Sequence, residues 1–587
     1  MKSLITRFGK NLNPDHVLVE YPRPQLKRSS YVNLNGFWEF AISSDEMVED
    51  YDQQILVPFS PESILSRVDH VLMPTEYAFY HKKVVLEPSF FKDVTMLHFG
   101  AVDQTCDIWI NGVHKLTHVG GFTPFVIDIT EDVRSHKLEI TVRVKDVTDT
   151  SCHLTGKQRL KRGGIWYTPQ SGIWQTVWIE SLPKVHLKDI TIIPEFDRRG
   201  VTLKFELTED VPIELSIFEE EKEVYQGVLN SRDAFIPLDS FIPWSPERPF
   251  LYDVKLRVGT DEITSYFGMR KFSKARSLDG IMRFYLNNKP YFLSGVLDQG
   301  YFSDGLLTPP SDEAMINDIE LMKNMGFNLL RKHIKIEPLR WYYHCDRIGM
   351  IVWQDMVNGS ERSDIMFHGA LGMANIHLKD KHYALFGRKN LEGRIHYEHS
   401  LNEMLSHLKN VTSIAAWVPF NEAWGQFDAK RISARVQKHD PTRLVDHASG
   451  WSDQGISDFH SRHIYFRKIR FKKRHARERI IALTEFGGYS LGIPGHMFHE
   501  GRTFGYRKYA NRDQLIEGVR ALYQNEVMPN IDVGLNVLIY TQLSDVEDEV
   551  NGFITYDREV VKIDQSEMKR INLMLKSRFD ARYMGML

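Results

Sequence analysis

The sequence predicts a multidomain chain: an N-terminal jelly-roll β-sandwich over residues 1–182, an immunoglobulin-like β-sandwich over 183–274 and a C-terminal (β/α)8 TIM barrel over 275–587. Three observations carry this. Up to about residue 270 the chain reads as short strand-like runs broken by turns, with almost no 3.6-residue periodicity, which is the pattern of sandwiches. Beyond about residue 275 strand-like and helix-like segments alternate. The length of 587 residues allows three or four domains at roughly 150 residues each, or fewer if one is a large barrel.

Taken in order, Asp107–Leu116 places Asn111-Gly112 between two short runs, a strong hairpin signal. Leu138–Val144, Val185–Ile193, Val201–Leu207 and Tyr252–Val258 alternate as half-buried strands do. A division near Leu182-Pro183 leaves a second unit of about ninety residues, the size of an immunoglobulin-like module. The expected barrel strands are Tyr291–Leu297, Asn328–Ile334, Met350–Trp353, Ser413–Val418, Leu444–His447, Ser457–Tyr465, Ile480–Glu485 and Leu535–Tyr540. Ser311 offers an N-cap to the first helix, with Asp312 and Glu313 in its first turn, where negative charge suits the helix dipole. Further helices are expected at Leu339–Ile348, Tyr397–Leu408, Ala429–His439, Gln514–Glu526 and Gln565–Leu575. No glycine-rich phosphate loop follows the first of these strands, which argues against a doubly wound open sheet.

Composition narrows the functional classes. The 74 Lys+Arg against 77 Asp+Glu give a net charge of −3, which disfavours a dedicated nucleic-acid binder. With 42% hydrophobic and 26% charged residues the chain is expected to be globular. Three cysteines cannot make a disulfide scaffold. The first residues, MKSLITRFGKNLNPDH, lack a signal-peptide core, and no uncharged run approaches the roughly eighteen residues of a membrane span. The expectation is a soluble, cytoplasmic protein with no membrane or nucleic-acid partner.

In a barrel of this kind the active site lies at the C-terminal ends of the strands. Strand four runs into Asn421-Glu422 and strand seven into Thr484-Glu485, on opposite sides of the mouth. One glutamate there is ordinarily a strand cap or half of an ion pair. Two facing carboxylates are what glycoside hydrolysis needs, one to move a proton and one to attack. Asn421 is placed to bond a sugar hydroxyl beside the reacting carbon, and Trp424, Trp451, Phe486 and Tyr540 are near enough to strand ends to stack on sugar faces. Trp417, inside its strand, is read as core. Arg331 and His333 share a face late in strand two, with Lys332 on the other, and Asp298 at the end of strand one completes the candidate substrate-binding set.

These residues resemble glycoside hydrolase family 2, the family of β-galactosidases, β-glucuronidases and β-mannosidases. The resemblance extends over nearly the whole chain: Tyr21-Pro22-Arg23-Pro24-Gln25 and Leu34-Asn35-Gly36-Phe37-Trp38 near the start, Gly120-Gly121-Phe122-Thr123-Pro124-Phe125 and Ser171-Gly172-Ile173-Trp174 in the first sandwich, Trp244-Ser245-Pro246-Glu247 and Phe267-Gly268-Met269-Arg270 at the end of the second, then Asn421-Glu422 and Thr484-Glu485-Phe486-Gly487-Gly488. It implies a retaining mechanism with Glu422 as acid/base and Glu485 as nucleophile, a carbohydrate substrate and a homo-oligomer, dimer or tetramer; no cofactor is expected, and no required metal, because Gln354-Asp355 after strand three lacks the acidic and histidine pair of the metal constellation in the large β-galactosidases. It also implies a tyrosine donating to the nucleophile. Tyr465 is the candidate, with His463 or His460 as alternatives for the place.

For the substrate, the resemblance implies that β-glucuronidases of the family grip the sugar carboxylate through an Asn-x-Lys-Gly element. The corresponding Glu549-Val550-Asn551-Gly552-Phe553 lacks the lysine and follows Asp545, Glu547 and Asp548, an acidic lip expected to repel an anionic sugar. The expectation is therefore a β-galactosidase-like exo-enzyme on a neutral sugar. A β-hexuronidase is the alternative, and a non-catalytic carbohydrate-binding protein on the same frame is the second. The basic run Arg467–Arg479 is read as a solvated face, though Arg467 or Lys468 starts it on the active-site side, within reach of an acidic sugar.

Overall fold

The structure is a computed structural model and describes residues 4–583 apart from 134, 135, 360, 362–364 and 375; the outermost residues of the first and last expected domains thus lie outside the described residues. The first sandwich packs a six-stranded sheet, with strands from Gly36–Ser43 to Lys137–Lys145, against a four-stranded one that includes Tyr31–Asn33, Val94–Phe99, Phe125–Asp128 and Val177–Leu182. Leu97, Ile108, Ile140, Val142 and Ile179 fill the space between them. Asn111 and Gly112 make the expected tight turn between Thr105–Ile110 and Val113–Val119, both with positive φ (51° and 80°), which Asn and Gly tolerate best. A three-stranded and a four-stranded sheet between Leu187 and Phe267 form the second sandwich.

The barrel strands are β1 (Leu293–Asp298), β2 (Leu329–Lys332), β3 (Ile351–Asp355), β4 (Ile414–Val418), β5 (Leu444–Val445), β6 (Phe459–Ile464), β7 (Ile480–Gly487) and β8 (Leu535–Thr541). They form one parallel sheet in the order β5-β4-β3-β2-β1-β8-β7-β6. Between β5 and β6 the closure rests on Asp458, whose N–H donates to Val445 O at 3.1 Å and whose carboxylate accepts from Val445 N–H at 2.8 Å. Inward-facing Leu293, Leu297, Leu329, Trp353, Val418, Phe459 and Ile539 pack the interior solid. The hairpin Phe272–Arg276/Met282–Leu286 closes the lower end with Phe272, Phe284 and Leu286. The division expected at 274/275 falls inside the first strand of that hairpin.

Helices flank the barrel at Asp312–Asn324, Leu339–Ile348, Leu391–Leu408, Ala429–His439, Arg512–Leu522 and Gln565–Tyr583, and Ser311 caps the first by accepting from Ala314 N–H at 3.2 Å. A helix not anticipated from sequence, Ile365–Met373, lies in the excursion after β3. No helix among the described residues is long and apolar enough to cross a membrane.

The sandwich and barrel meet over the mouth. The loop between Lys145 and Gly172 reaches it, with Gly156 N–H donating to Asn358 O at 2.7 Å, Thr168 N–H to Glu547 Oε1 at 2.8 Å, and Gln170 Oε1 accepting from Leu307 N–H at 2.9 Å. Within the barrel, Gly295 of β1 lies close against β2: a Cβ there would lie 2.3 Å from Leu329 O. Gly295→Ala is expected to lower barrel stability by at least the ~1–3 kcal/mol typical of overpacking, read as a lower guanidinium midpoint.

Candidate active site

Arg331, fully buried at the end of β2, is the centre of the mouth. Its Nε and Nη2 donate to the two oxygens of Asp355 at 2.9 and 3.0 Å, a bidentate pair that ties β2 to β3. Nη2 also donates to Asn421 Oδ1 at 2.8 Å, and Nη1 to Glu485 Oε1 at 3.3 Å. One guanidinium thus touches the ends of β2, β3 and β7 and the turn after β4. His333, two residues on and so on the same face, sets its Nδ1 2.7 Å from Asp355 Oδ2, and burial drives its pKa well below the ordinary value.

Glu422 and Glu485 face one another. One oxygen of each, together with a ring nitrogen of His463, lies within 4.8 Å of the others, and both glutamates are buried. Glu422 sits in a left-handed turn (φ 52°, with Ala423 at 68°), a conformation that costs non-glycine residues on the order of 1 kcal/mol or more and that turns its side chain back over the mouth. Its N–H donates to Ser449 O at 3.0 Å. His463 Nδ1 is 2.8 Å from Glu422 Oε1, and its Nε2 faces Ser449 Oγ at 3.1 Å and Arg331 Nη1 at 3.5 Å. Burial brings His463 down to about 4, so the ring is neutral near pH 7, and the Arg331 N–H facing Nε2 favours the tautomer with its proton on Nδ1. Gly450 permits this: a Cβ there would lie 2.4 Å from the His463 ring.

Tyr465 donates to Glu485 Oε2 at 2.6 Å, pairs with Thr541 Oγ1 at 2.9 Å, and stacks face to face on Tyr506 with centroids 3.6 Å apart. Burial raises both glutamates above the ordinary carboxylate range. Two donors, Tyr465 and Arg331, favour charge on Glu485, whereas Glu422 has the neutral His463 alone within hydrogen-bonding distance. The two donors bias negative charge toward Glu485, against the pull of the Lys157 and Arg331 charges on Glu422.

Of the remaining candidates, Asn421 lies in the site with its Nδ2 buried and without an acceptor. Trp451 is half-buried, 6.3 Å from the His463 ring, in a notch made by Gly369 and Gly372. Trp424 is buried edge-on to Trp166 at 5.4 Å, its Nε1 without an acceptor. Three residues turn elsewhere. Asp298 pairs with Lys332 at 2.7 Å and Gly300 N–H at 2.9 Å, because the β1–β2 register sets it beside Lys332, on the face opposite Arg331. Tyr540 is core: its ring stacks on Phe553 at 4.6 Å and its hydroxyl accepts from Tyr489 N–H. Phe486 is core between Tyr523 and Tyr540. Trp417 is buried as expected, donating to Asp440 at 2.9 Å.

Sequence reasoning missed Asp355 as the partner of Arg331, and Ser449, Thr484, Thr541 and Tyr506. Asp355 ends β3 as Glu485 nears the end of β7, so strand-end position was a usable signal; the others lie in loops or carry common residue types. It also missed the wall supplied by the first sandwich, where Tyr167 bonds Glu549 and Lys157 lies close by. Most of the acidic lip is engaged by the fold, while Asp548 is buried with neither oxygen hydrogen-bonded and only Arg162 near it, at 3.5 Å. Asp545 pairs with Lys562, Glu547 accepts from Thr168 N–H and meets Arg162 at 3.3 Å, and all are buried. The basic run is mostly exposed, while its last member, Arg479, clamps Asp453 with two 2.8 Å bonds.

Two family models match: "Glycosyl hydrolases family 2" over residues 185–270 and "Glycosyl hydrolases family 2, TIM barrel domain" over 280–478. Among curated proteins the chain is 23% identical over 432 residues to a β-glucuronidase of Streptococcus agalactiae, covering 68% of each chain. It is 24% identical over 473 residues to a β-galactosidase of Leuconostoc mesenteroides, covering 75% of this chain and 41% of that one. Among solved structures, an uncultured Clostridium sp. β-glucuronidase superposes with a TM-score of 0.74 at 17% identity, covering 94% of this chain and 99% of that one. A Dictyoglomus thermophilum β-D-glucuronidase superposes at 0.73 and 18% identity, covering 95% and 98%.

Removing Arg331 strands the Asp355 carboxylate in the interior. Arg331→Met is expected to cost about 3–5 kcal/mol in denaturant unfolding, with Arg331→Met/Asp355→Leu recovering a substantial part because the stranded Asp355 charge is gone, though Glu485 still loses its cation.

Proposed function

Because the chain belongs to glycoside hydrolase family 2 and is a glycosidase by that membership, we propose that it releases terminal β-linked sugars with retention of configuration, Glu422 serving as acid/base and Glu485 as nucleophile. The observation that carries the reading is the approach of the two carboxylates to within 4.8 Å around one neutral histidine. Retaining enzymes hold their carboxyl groups about 5–5.5 Å apart, whereas inverting ones leave room for a water between them.

In the first step Glu422 protonates the departing oxygen while Glu485 attacks the anomeric carbon, giving a glycosyl ester and an ionised Glu422. In the second, Glu422 takes a proton from water, which opens the ester and frees Glu485. Tyr465 holds Glu485 in the attacking orientation and Arg331 keeps it ionised between turnovers. Asn421 Nδ2, without an acceptor, is oriented by Arg331 to donate to a sugar hydroxyl.

The sequence favoured a neutral sugar, galactose first, on the strength of an acidic lip. Pairing of Asp545 with Lys562, Glu547 with Arg162 and Glu549 with Tyr167 weakens that ground against an acidic sugar, while Asp548, buried with neither oxygen hydrogen-bonded, keeps part of it. A β-hexuronide therefore stands beside a β-galactoside as the substrate.

Glu485→Ala is expected to lower kcat by about 10⁴-fold or more with the fold retained, and a 2-deoxy-2-fluoroglycoside should add one sugar mass to the wild type at Glu485. No mass gain with any sugar would remove the covalent route and favour a binding protein. In the pH profile of kcat/KM the acid limb reports protonation of Glu485 and the alkaline limb loss of the proton from Glu422, both displaced upward by burial. In Glu422→Gln, assayed with an activated aryl leaving group, the alkaline limb should vanish.

A further inference from the structure

Lys157 lies on the sandwich loop that covers the barrel mouth, 7% exposed. The residue before it is pinned to the barrel by Gly156 N–H on Asn358 O at 2.7 Å, and its own carbonyl accepts from Tyr167 N–H at 3.0 Å. Its ammonium sits 5.6 Å from the Trp166 ring centroid, and Trp166 in turn packs on Trp424, two residues beyond Glu422. From there its charge is felt by Glu422, Glu549, His333 and His463, groups on four sides of the mouth.

This ammonium has no partner: among the contacts of the described residues it makes neither a hydrogen bond nor an ion pair. The acids around it are occupied, Glu549 by Tyr167 and by Gln542 at 3.4 Å, and Glu422 by His463 at 2.8 Å. Arg331, the other buried cation at the catalytic pair, is spent on Asp355 and Asn421. Three buried donors of the same mouth also lack acceptors: Asn421 Nδ2, Trp424 Nε1 and Asn551 Nδ2. Buried acceptors at the same mouth, Gln542 Oε1 and both oxygens of Asp548, are likewise unmatched, and what sets Lys157 apart is that its unspent donor carries a full positive charge. A neutral sugar displacing water from it would leave the ammonium dry and unpaired, whereas a carboxylate would satisfy it.

We propose that Lys157 is the specificity-determining residue of the pocket and receives the carboxylate of the sugar, so that the substrate is a terminal β-linked hexuronic acid. This rests on the glycosidase reading above and names its substrate class. The recognising cation comes from the first sandwich, far along the chain from both catalytic glutamates.

The test compares kcat/KM of the full-length protein on aryl β-D-glucuronide and β-D-galacturonide with that on the matched β-D-glucoside and β-D-galactoside, for wild type, Lys157→Met and Lys157→Arg. The expected result is a wild-type preference for one uronide. The uronide-to-neutral ratio should fall about 10- to 100-fold in Lys157→Met, carried mainly by KM, and recover partly in Lys157→Arg. A wild type that prefers the neutral sugar, or a ratio that Lys157→Met leaves unchanged, overturns the proposal. Covalent labelling separates the two failures. A neutral fluorosugar that labels Glu485 where uronic fluorosugars do not removes the Lys157 assignment alone, and no labelling by any of them removes the glycosidase reading and this one with it.

Discussion

The site depends on one buried guanidinium. Arg331 has no water to share its charge with, so its N–H groups must all find oxygens within the barrel, and the oxygens it finds are those of Asp355, Asn421, Glu485 and the Thr484 carbonyl. Because a guanidinium is planar and its donors fixed in angle, satisfying it sets the relative positions of β2, β3 and β7 and of the turn after β4. That coordination holds Glu485 directly and reaches Glu422 only through its neighbour Asn421. The desolvation cost of burying such a charge is offset by the bidentate pair with Asp355.

Around that cation the protein places two chemically identical side chains in different surroundings. Glu485 accepts from Tyr465 and Arg331, whereas Glu422 faces the neutral His463 ring and feels the Lys157 charge from the sandwich loop. The strained turn at Glu422, the left-handed pair with Ala423, gives its carboxylate an approach that a regular strand end would not. His463 links the two: it reads Glu422 on one ring nitrogen and the Arg331 and Ser449 side of the pocket on the other.

Much of this was legible in the sequence. Strand and helix periods change clearly at the barrel, the eight strands lie where alternation and apolar runs put them, and glutamates at two strand ends stand out because charged residues are rare where strands are buried on both faces. What was lost was lost for identifiable reasons. Asp298 also ends a strand, but whether a residue faces the pocket depends on parity within the ladder, and a single-residue shift reverses it. Tyr540 and Phe486 show that an aromatic ring near a strand end is as useful to the core as to a ligand. The acidic run 545–549 read as a surface feature, yet those carboxylates are buried against partners up to several hundred residues distant, which no local pattern reveals. Lys157 belongs to the same class: it carries no motif, and its meaning comes only from the loop that delivers it.

The delivery of that loop has a consequence for assembly. A barrel that matured before its sandwich had docked would already hold the arginine and both glutamates, but its mouth would be open to bulk solvent on the side of Trp166 and Tyr167, where a high dielectric would weaken each electrostatic bias described above. Chemical competence therefore reports on the completed tertiary arrangement rather than on any one folding unit. In a chain whose N-terminal module had not docked, the pocket would lack the wall formed by Tyr167 and Lys157.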